Sequence, residues 1–280
     1  MSDATAVVAG VELVWAAGSD RGRVRPTNED CVLGAPPVFV VADGMGGQEA
    51  GDRASAAVVA AFAEHVLGPG PATLDDVRGA LQTAVDGVRA VAAGTLRGAG
   101  STVTGVALVE HLGAAHWLVF NVGDSRVYRH QAGTLEQLTV DHSLGQELVD
   151  AGELRPEELR GFADGNVITR AIGAADSTAD SWLLPVTDGE RLLLCSDGLY
   201  RELADESIRA ALTLSGPPAS AVEALIRLTN LAGGRDNVTA LVVDVLSGGR
   251  AAGQDDDLTA SASGYGTSTD DADTTLEVRR

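Results

Sequence analysis

Lysine is absent from this 280-residue chain: all 20 of its basic residues are arginine. A nucleotide-binding P-loop and a Schiff-base mechanism both need a lysine, so both are excluded. Positive charge of any kind is scarce, with 40 acidic residues against 20 basic ones and a formal net charge of −20. Such a surface repels nucleic acids and anionic membranes, and neither is expected as a partner. Cysteine occurs only twice, at Cys31 and Cys195, which gives no disulfide framework and no zinc-ligand spacing. Long apolar runs are missing as well. The longest, "ASAAVVAAFA", falls far short of the ~20 residues a membrane helix requires. The opening "MSDATAVVAG" has neither the basic n-region nor the apolar h-region of a secretory signal. A cytoplasmic protein is the expectation.

What is present supports a packed core, since 45% of the residues are hydrophobic. From about residue 10 to 247, short apolar strands alternate with amphipathic helices. "VELVWAA", "PVFVVAD", "STVTGVALVE", "AHWLVFNVG", "SRVYRHQ", "LEQLTV", "RLLLCSD" and "VTALVVDVL" read as strands. "QEAGDRASAAVVAAFAEHVL" and "TLDDVRGALQTAVDGVRAVAAGTL" read as long helices separated by the breaker "GPGP". "SLGQELVDAGEL" and "PASAVEALIRLTNLAG" read as further helices. Between residues 115 and 140 there is room for three strands and no helix, which predicts an antiparallel meander rather than a doubly wound sheet. Residues 1–9 then form a short N-terminal extension and residues 10–247 one domain. Residues 248–280, rich in Gly, Ala, Ser, Thr and Asp, are expected to be a disordered acidic tail.

The stretch "RLLLCSDGLYRE" supports two chemistries. Cys195 and Arg201 stand as C-x-x-G-x-x-R, the spacing with which cysteine phosphatases hold a phosphate over a thiolate. Asp197, at the end of an apolar strand, is instead suited to hold a metal ion. A thiolate needs a depressed pKa, and Asp197 and Glu202 beside the loop would raise it and repel phosphate. Cys195 is therefore read as a small core residue, Arg201 as a helix-start or surface residue, and Asp197 as the functional group.

Five Asp-Gly dipeptides occur, at Asp43, Asp86, Asp164, Asp188 and Asp197. The dipeptide alone is a routine turn signal. Asp43 and Asp197 differ from the rest because each ends a continuous apolar strand. Asp124 lies just past another such strand, and Asp236 just before one. In an antiparallel sheet the end of one strand lies beside the start of the next, so these acids can converge at one edge. Converging carboxylates repel unless a cation sits among them. Oxygen donors without clustered His or Cys point to a hard ion, Mg²⁺ or Mn²⁺.

"SDRGRVRPTNED", "FVVADGMGGQEAGDRAS", "GSTVTGVAL", "NVGDSRVYR", "LTVDHSL", "NVITRAIG", "LLLCSDGL" and "RDNVTALVV" follow one another in the order seen in bacterial metal-dependent Ser/Thr protein phosphatases. Over about residues 12–246 the chain resembles this PPM, or type 2C, family. The resemblance implies a four-layer αββα sandwich of two mainly antiparallel sheets flanked by helices. It implies two Mn²⁺ or Mg²⁺ ions between the sheets, with Asp43 bridging both, the Gly44 carbonyl on one, and Asp197 and Asp236 on the other. Glu29 matches a contact made through water, Arg25 the position that holds substrate phosphate, and Asp124 the acid of a third, weaker metal site. The activity implied is hydrolysis of phosphoserine and phosphothreonine in proteins by a metal-activated water, opposing a Ser/Thr kinase. The partners implied are phosphorylated proteins, and the family leans toward monomers.

The chain departs from the family at several points. Gln48 replaces the His of the bacterial "DGMGGH", and Met45 stands where animal relatives carry a His, so no histidine from this loop can act as a general acid. Arg201 stands where animal relatives carry a further acid, which puts the third ion in doubt. Asn166 precedes "VITRAIG", near the flap that helps form that site in bacterial relatives. His142, in "VDHSL", is read as an interior hydrogen-bonding residue. A catalytically silent relative acting as regulator or scaffold is the main alternative. Retention of Asp43, Gly44, Asp197, Asp236 and Arg25 argues against it.

Overall fold

The computed structural model describes residues 1–46, 50–96, 98–165, 167–251 and 276–278. Gln48, Asn166 and the bulk of the acidic tail lie outside the described residues. One sheet holds β1 (Ala4–Val8), β2 (Val11–Asp20), β8 (Arg126–Gln131), β9 (Thr134–Gln137), β11 (Arg191–Cys195) and β12 (Val238–Ser247), in the order β1-β2-β12-β11-β8-β9. The other holds β3 (Asp30–Ala35), β4 (Val38–Met45), β6 (Val103–His111), β7 (Ala114–Val122), β10 (Ala179–Pro185) and β13 (Leu276–Val278), in the order β13-β10-β7-β6-β4-β3. The short β5 (Gly100–Ser101) pairs with β4. Among the described strands, every strand pairing is antiparallel except β13 on β10.

Three apolar layers separate four structural ones. Between the sheets, Val41, Val106 and Val119 from one side meet Leu192, Leu241 and Val243 from the other. Phe39 bridges Trp15 and Trp117, edge to face with each. Helices α1 (Gly51–Val66) and α2 (Leu74–Ala93) cover the second sheet, where Phe62 stacks on Phe120 with centroids 5.0 Å apart. Helices α5 (Asp205–Leu214) and α6 (Pro218–Ala232) cover the first, placing Ile208, Leu212, Val222 and Leu225 on Leu193 and Val242. This is the αββα sandwich. The start of α2 is fixed locally: Thr73 Oγ1 accepts from the Asp76 amide at 3.1 Å, while Asp76 Oδ2 accepts from the Thr73 amide at 2.9 Å. No helix among the described residues is long and apolar enough to cross a membrane.

Residues 115–140 do not make the single meander expected from their pattern. β8 and β9 pair as a hairpin, but β7 pairs with β6 and β10 in the opposite sheet. The chain changes sheets at Gly123, whose φ of 106° is open to glycine and strained for other residues. Asn121 ties this turn by donating from its side-chain amide to the carbonyls of Gly123 and Val140. The crossing leaves Asp124 between the sheets. β1, β3, β10 and α5 were not anticipated either. Of the expected disordered tail, residues 276–278 form β13, an added edge strand on β10.

Candidate metal centre

Each acid singled out above arrives at one end of the sandwich. Asp43 lies in β4, beside Asp30 of β3 in direct register. From the facing sheet, Asp197 follows β11 and opens the single turn α4 (Asp197–Tyr200), and Asp236 precedes β12. The carboxyls of Asp43 and Asp197 lie within hydrogen-bonding reach of each other. Exposure grades the group by depth: the side chain of Asp124 is 2% exposed, Asp197 13% and Asp236 33%.

The backbone of Asp43 is held from both sides. Its amide donates to Thr102 Oγ1 at 3.0 Å, and its carbonyl accepts from the Thr102 amide at 2.8 Å and from Ser101 Oγ at 3.1 Å. Gly44 is required by close approach. A Cβ there would stand 1.9 Å from Gly51 O and 2.7 Å from Glu29 O. The Gly44 amide donates to Glu29 O at 3.1 Å, which draws Glu29 against the same corner.

Asn237 shapes the loop that carries Arg25 and Glu29. Its side-chain amide donates to the carbonyls of Arg21 and Thr27, and its Oδ1 accepts from the Glu29 amide. Arg25 Nη2 then reaches Asp236 Oδ2 at 2.6 Å. Arg201 contacts both Asp124 and Asp197, so it is not the helix-start or surface residue expected.

Burial pushes these acids toward their neutral forms. It raises Asp43 well above the ordinary carboxylate range, and the charges of Asp30, Asp197, Asp124 and Asp236 raise it further. Asp30 and Asp124 are each pushed up to about 7, again chiefly by burial. Asp197 and Glu29 shift upward for the same leading reason. A bound cation would reverse this cost by compensating the charges. The donor set is all oxygen, suited to a hard ion. Among the described residues, the buried Oδ1 atoms of Asp30 and Asp124 have no hydrogen-bond partner, which also fits a group that takes a cation. Among the described residues, no three of His, Cys, Asp or Glu are already closed around one point. Guanidinium groups supply the opposing charge instead, Arg25 on Asp236 and Arg201 on Asp197.

A thiolate centre does not fit. Cys195 is fully buried in the layer beneath α5 and α6, and burial pushes its thiol far up. His142 is also interior: its Nδ1 accepts from the Gly123 amide at 3.1 Å, and its Nε2 lies 3.2 Å from Asp180 Oδ2.

Known proteins share this fold. Residues 28–242 match the family model described as protein phosphatase 2C. The chain belongs to the protein phosphatase 2C family. It is 38% identical over 264 residues to the serine/threonine protein phosphatase PstP of Mycobacterium tuberculosis, covering 88% of this chain and 50% of that one. The chain thus spans about half the length of this relative. The crystal structure of the M. tuberculosis PstP phosphatase superimposes with a TM-score of 0.78 at 35% identity, covering 85% of this chain and 100% of that chain. The PstP catalytic domain in complex with two manganese ions gives a TM-score of 0.74 at 35% identity, covering 85% and 99%.

Two positions beside the candidate ligands escape a reading of this 2C-type sequence. Asp30, the last residue of "TNED", is a buried acid whose Oδ2 accepts from Ser196 Oγ at 2.7 Å and Thr239 Oγ1 at 2.8 Å. Those three side chains tie β3 to the opposite sheet under the carboxylates. Asn237 follows Asp236 in "RDNV" and clasps the Arg25 loop. The signal for each was a polar residue immediately after a candidate ligand, Glu29 or Asp236.

Proposed function

We propose that this chain is a metal-dependent phosphatase that removes phosphate from phosphoserine and phosphothreonine in proteins. The observation that carries the proposal is the meeting of Asp43 and Asp197, from two different sheets, beside Arg25 on Asp236. Family membership and the names of the relatives support the same reading. Asp43, the Gly44 carbonyl, Asp197 and Asp236 would hold two Mn²⁺ or Mg²⁺ ions, with Glu29 in contact through water. Held there, two such ions would supply an acidified water and a positive charge to offset that of the phosphoryl oxygens.

The chain's own residues do the positioning. Arg25 stays charged at any working pH and offers a planar fork to a phosphate dianion. The Asn237 clasp and the Thr102 and Ser101 contacts fix the two loops from which Arg25 and Asp43 project. A cleft of about 960 Å³ runs outward past Asp124, Gly198, Tyr200, Arg201 and Asp236. The partners are phosphorylated proteins, with a Ser/Thr kinase as the opposing activity.

Hydrolysis of p-nitrophenyl phosphate and of a phosphothreonine peptide tests the proposal. Activity should require Mn²⁺, vanish in EDTA, and survive both iodoacetamide and Cys195→Ser. Activity that persists in EDTA but dies with the thiol would overturn it. Inactivity under every condition would favour the silent-regulator alternative.

A further inference from the structure

Arg201 engages two carboxylates at once. Its Nη2 donates to Asp124 Oδ2 at 2.8 Å, and its Nε stands 3.0 Å from Asp197 Oδ2. The guanidinium is delivered by a short rigid turn, because the Arg201 amide donates to the Asp197 carbonyl at 3.0 Å. The preceding residue locks the other partner, with the Tyr200 hydroxyl donating to the Asp124 carbonyl at 2.8 Å. Asp124 is buried, and its Oδ1 has no hydrogen-bond partner among the described residues. A carboxylate this deep needs a positive charge beside it, and Arg201 is the cation it contacts.

We propose that the Arg201 guanidinium is a built-in cation of the centre: it takes the place between Asp124 and Asp197 that a divalent ion would otherwise occupy, and so limits the chain to two bound ions. This rests on the metal centre proposed above. Asp197 would serve that centre with its remaining coordination capacity, and Arg201 acts on it as a positioning residue. A guanidinium holds its single charge at every working pH and cannot exchange with solution. A chelator therefore strips the divalent ions but leaves this charge in place. Removing Arg201 frees the carboxylates of Asp124 and Asp197, and Asp124 lines the cleft together with Tyr200 and Arg201, so an ion has a route in.

The number of ions bound by the full chain decides the matter. Equilibrium dialysis against Mn²⁺, with metal counted by atomic emission, should give two ions for the native chain and three for Arg201→Ala. Arg201→Lys should restore two, and Arg201→Ala combined with Asp124→Asn should return to two. A purely structural arginine would leave the count unchanged in all four. If Arg201→Ala fails to fold, Arg201→Gln removes the charge with little loss of volume and should bind three. A native chain that binds three ions, or a neutral variant that still binds two, overturns the role of Arg201 alone. A native chain that binds none overturns the metal centre, and this inference with it.

Discussion

Arg25 Nη2 donates to Asp236 Oδ2 at 2.6 Å, joining residues 211 positions apart. The guanidinium also feels Asp197 and Asp43, which together with the Asp236 bond hold it above its ordinary pKa. The arginine that would grip substrate phosphate thus rests on a carboxylate the centre would use. A cation on Asp236 would compete for that carboxylate and release the arginine to substrate. Arg25→Ala should raise KM for a phosphothreonine peptide on the order of 10- to 100-fold, the equivalent of one charge-assisted hydrogen bond. Mn²⁺ affinity should hold or rise, because a competitor for Asp236 has gone. Steady-state kinetics with a parallel Mn²⁺ titration separate the two effects. Weaker Mn²⁺ binding at unchanged KM would make Arg25 a loop-folding residue instead.

Asp43 is the acid that all four neighbouring aspartates oppose. Asp43→Asn should therefore separate function from stability. Activity should fall by about three orders of magnitude, since metal-assisted charge stabilisation supplies several kcal/mol. Metal-free stability should hold or increase, because folding no longer has to force a carboxyl into its neutral form among like charges. Thermal melts in EDTA, set beside kcat/KM in Mn²⁺, read both quantities. A variant that melts earlier yet keeps its activity would remove Asp43 from the centre.

The part of the site legible in the sequence was the part carried by strand ends. Val38–Ala42 and Leu192–Cys195 are continuous apolar runs buried on both faces, so the acids that end them stood out. Amphipathic spacing marked α1 and α2 for the same reason. What stayed hidden depends on which sheet a strand joins. Nothing in "NVGDSRV" distinguishes a hairpin turn from a crossing between sheets, so the meander was misplaced and Asp124 was set at an edge rather than in the interior. β3, "DCVLGA", is half-buried throughout and alternates in no regular way. Arg201 shows the limit most clearly, because its role lies in two carboxylates brought to it by other strands.

Gly44 tests the close packing behind the site. Its backbone is not in the left-handed region, so the constraint is contact rather than conformation. A methyl group would meet the Gly51 and Glu29 carbonyls, main-chain atoms that cannot rotate aside. Gly44→Ala should cost about 1–3 kcal/mol or more, the range for overpacking a filled interior. Gly68, with nothing within 4 Å of its added Cβ, provides the control. Urea denaturation should show a lower midpoint for Gly44→Ala and little change for Gly68→Ala. Equal midpoints would mean that the β4–α1 corner is looser than described.

Glu190 offers a pH signature remote from the centre. It is 1% exposed, and its Oε1 accepts from Trp117 Nε1 at 2.8 Å and from the Thr187 amide at 2.9 Å. Burial raises its pKa above the ordinary value of 4.5, and those two hydrogen bonds only partly offset it. In the window between 4.5 and the raised value, the folded chain binds a proton that the unfolded chain has released. Stability from this group is therefore full below pH 4.5, declines as pH rises through the folded pKa, and is flat above it. Glu190→Gln keeps an acceptor for Trp117 and Thr187 but cannot titrate. The difference in unfolding free energy between native and variant, followed by urea denaturation from pH 4 upward, should shift in the variant's favour across that window and then level off. A difference that stays constant with pH would show that Glu190 titrates alike in both states, and would place water beside the Trp117 indole.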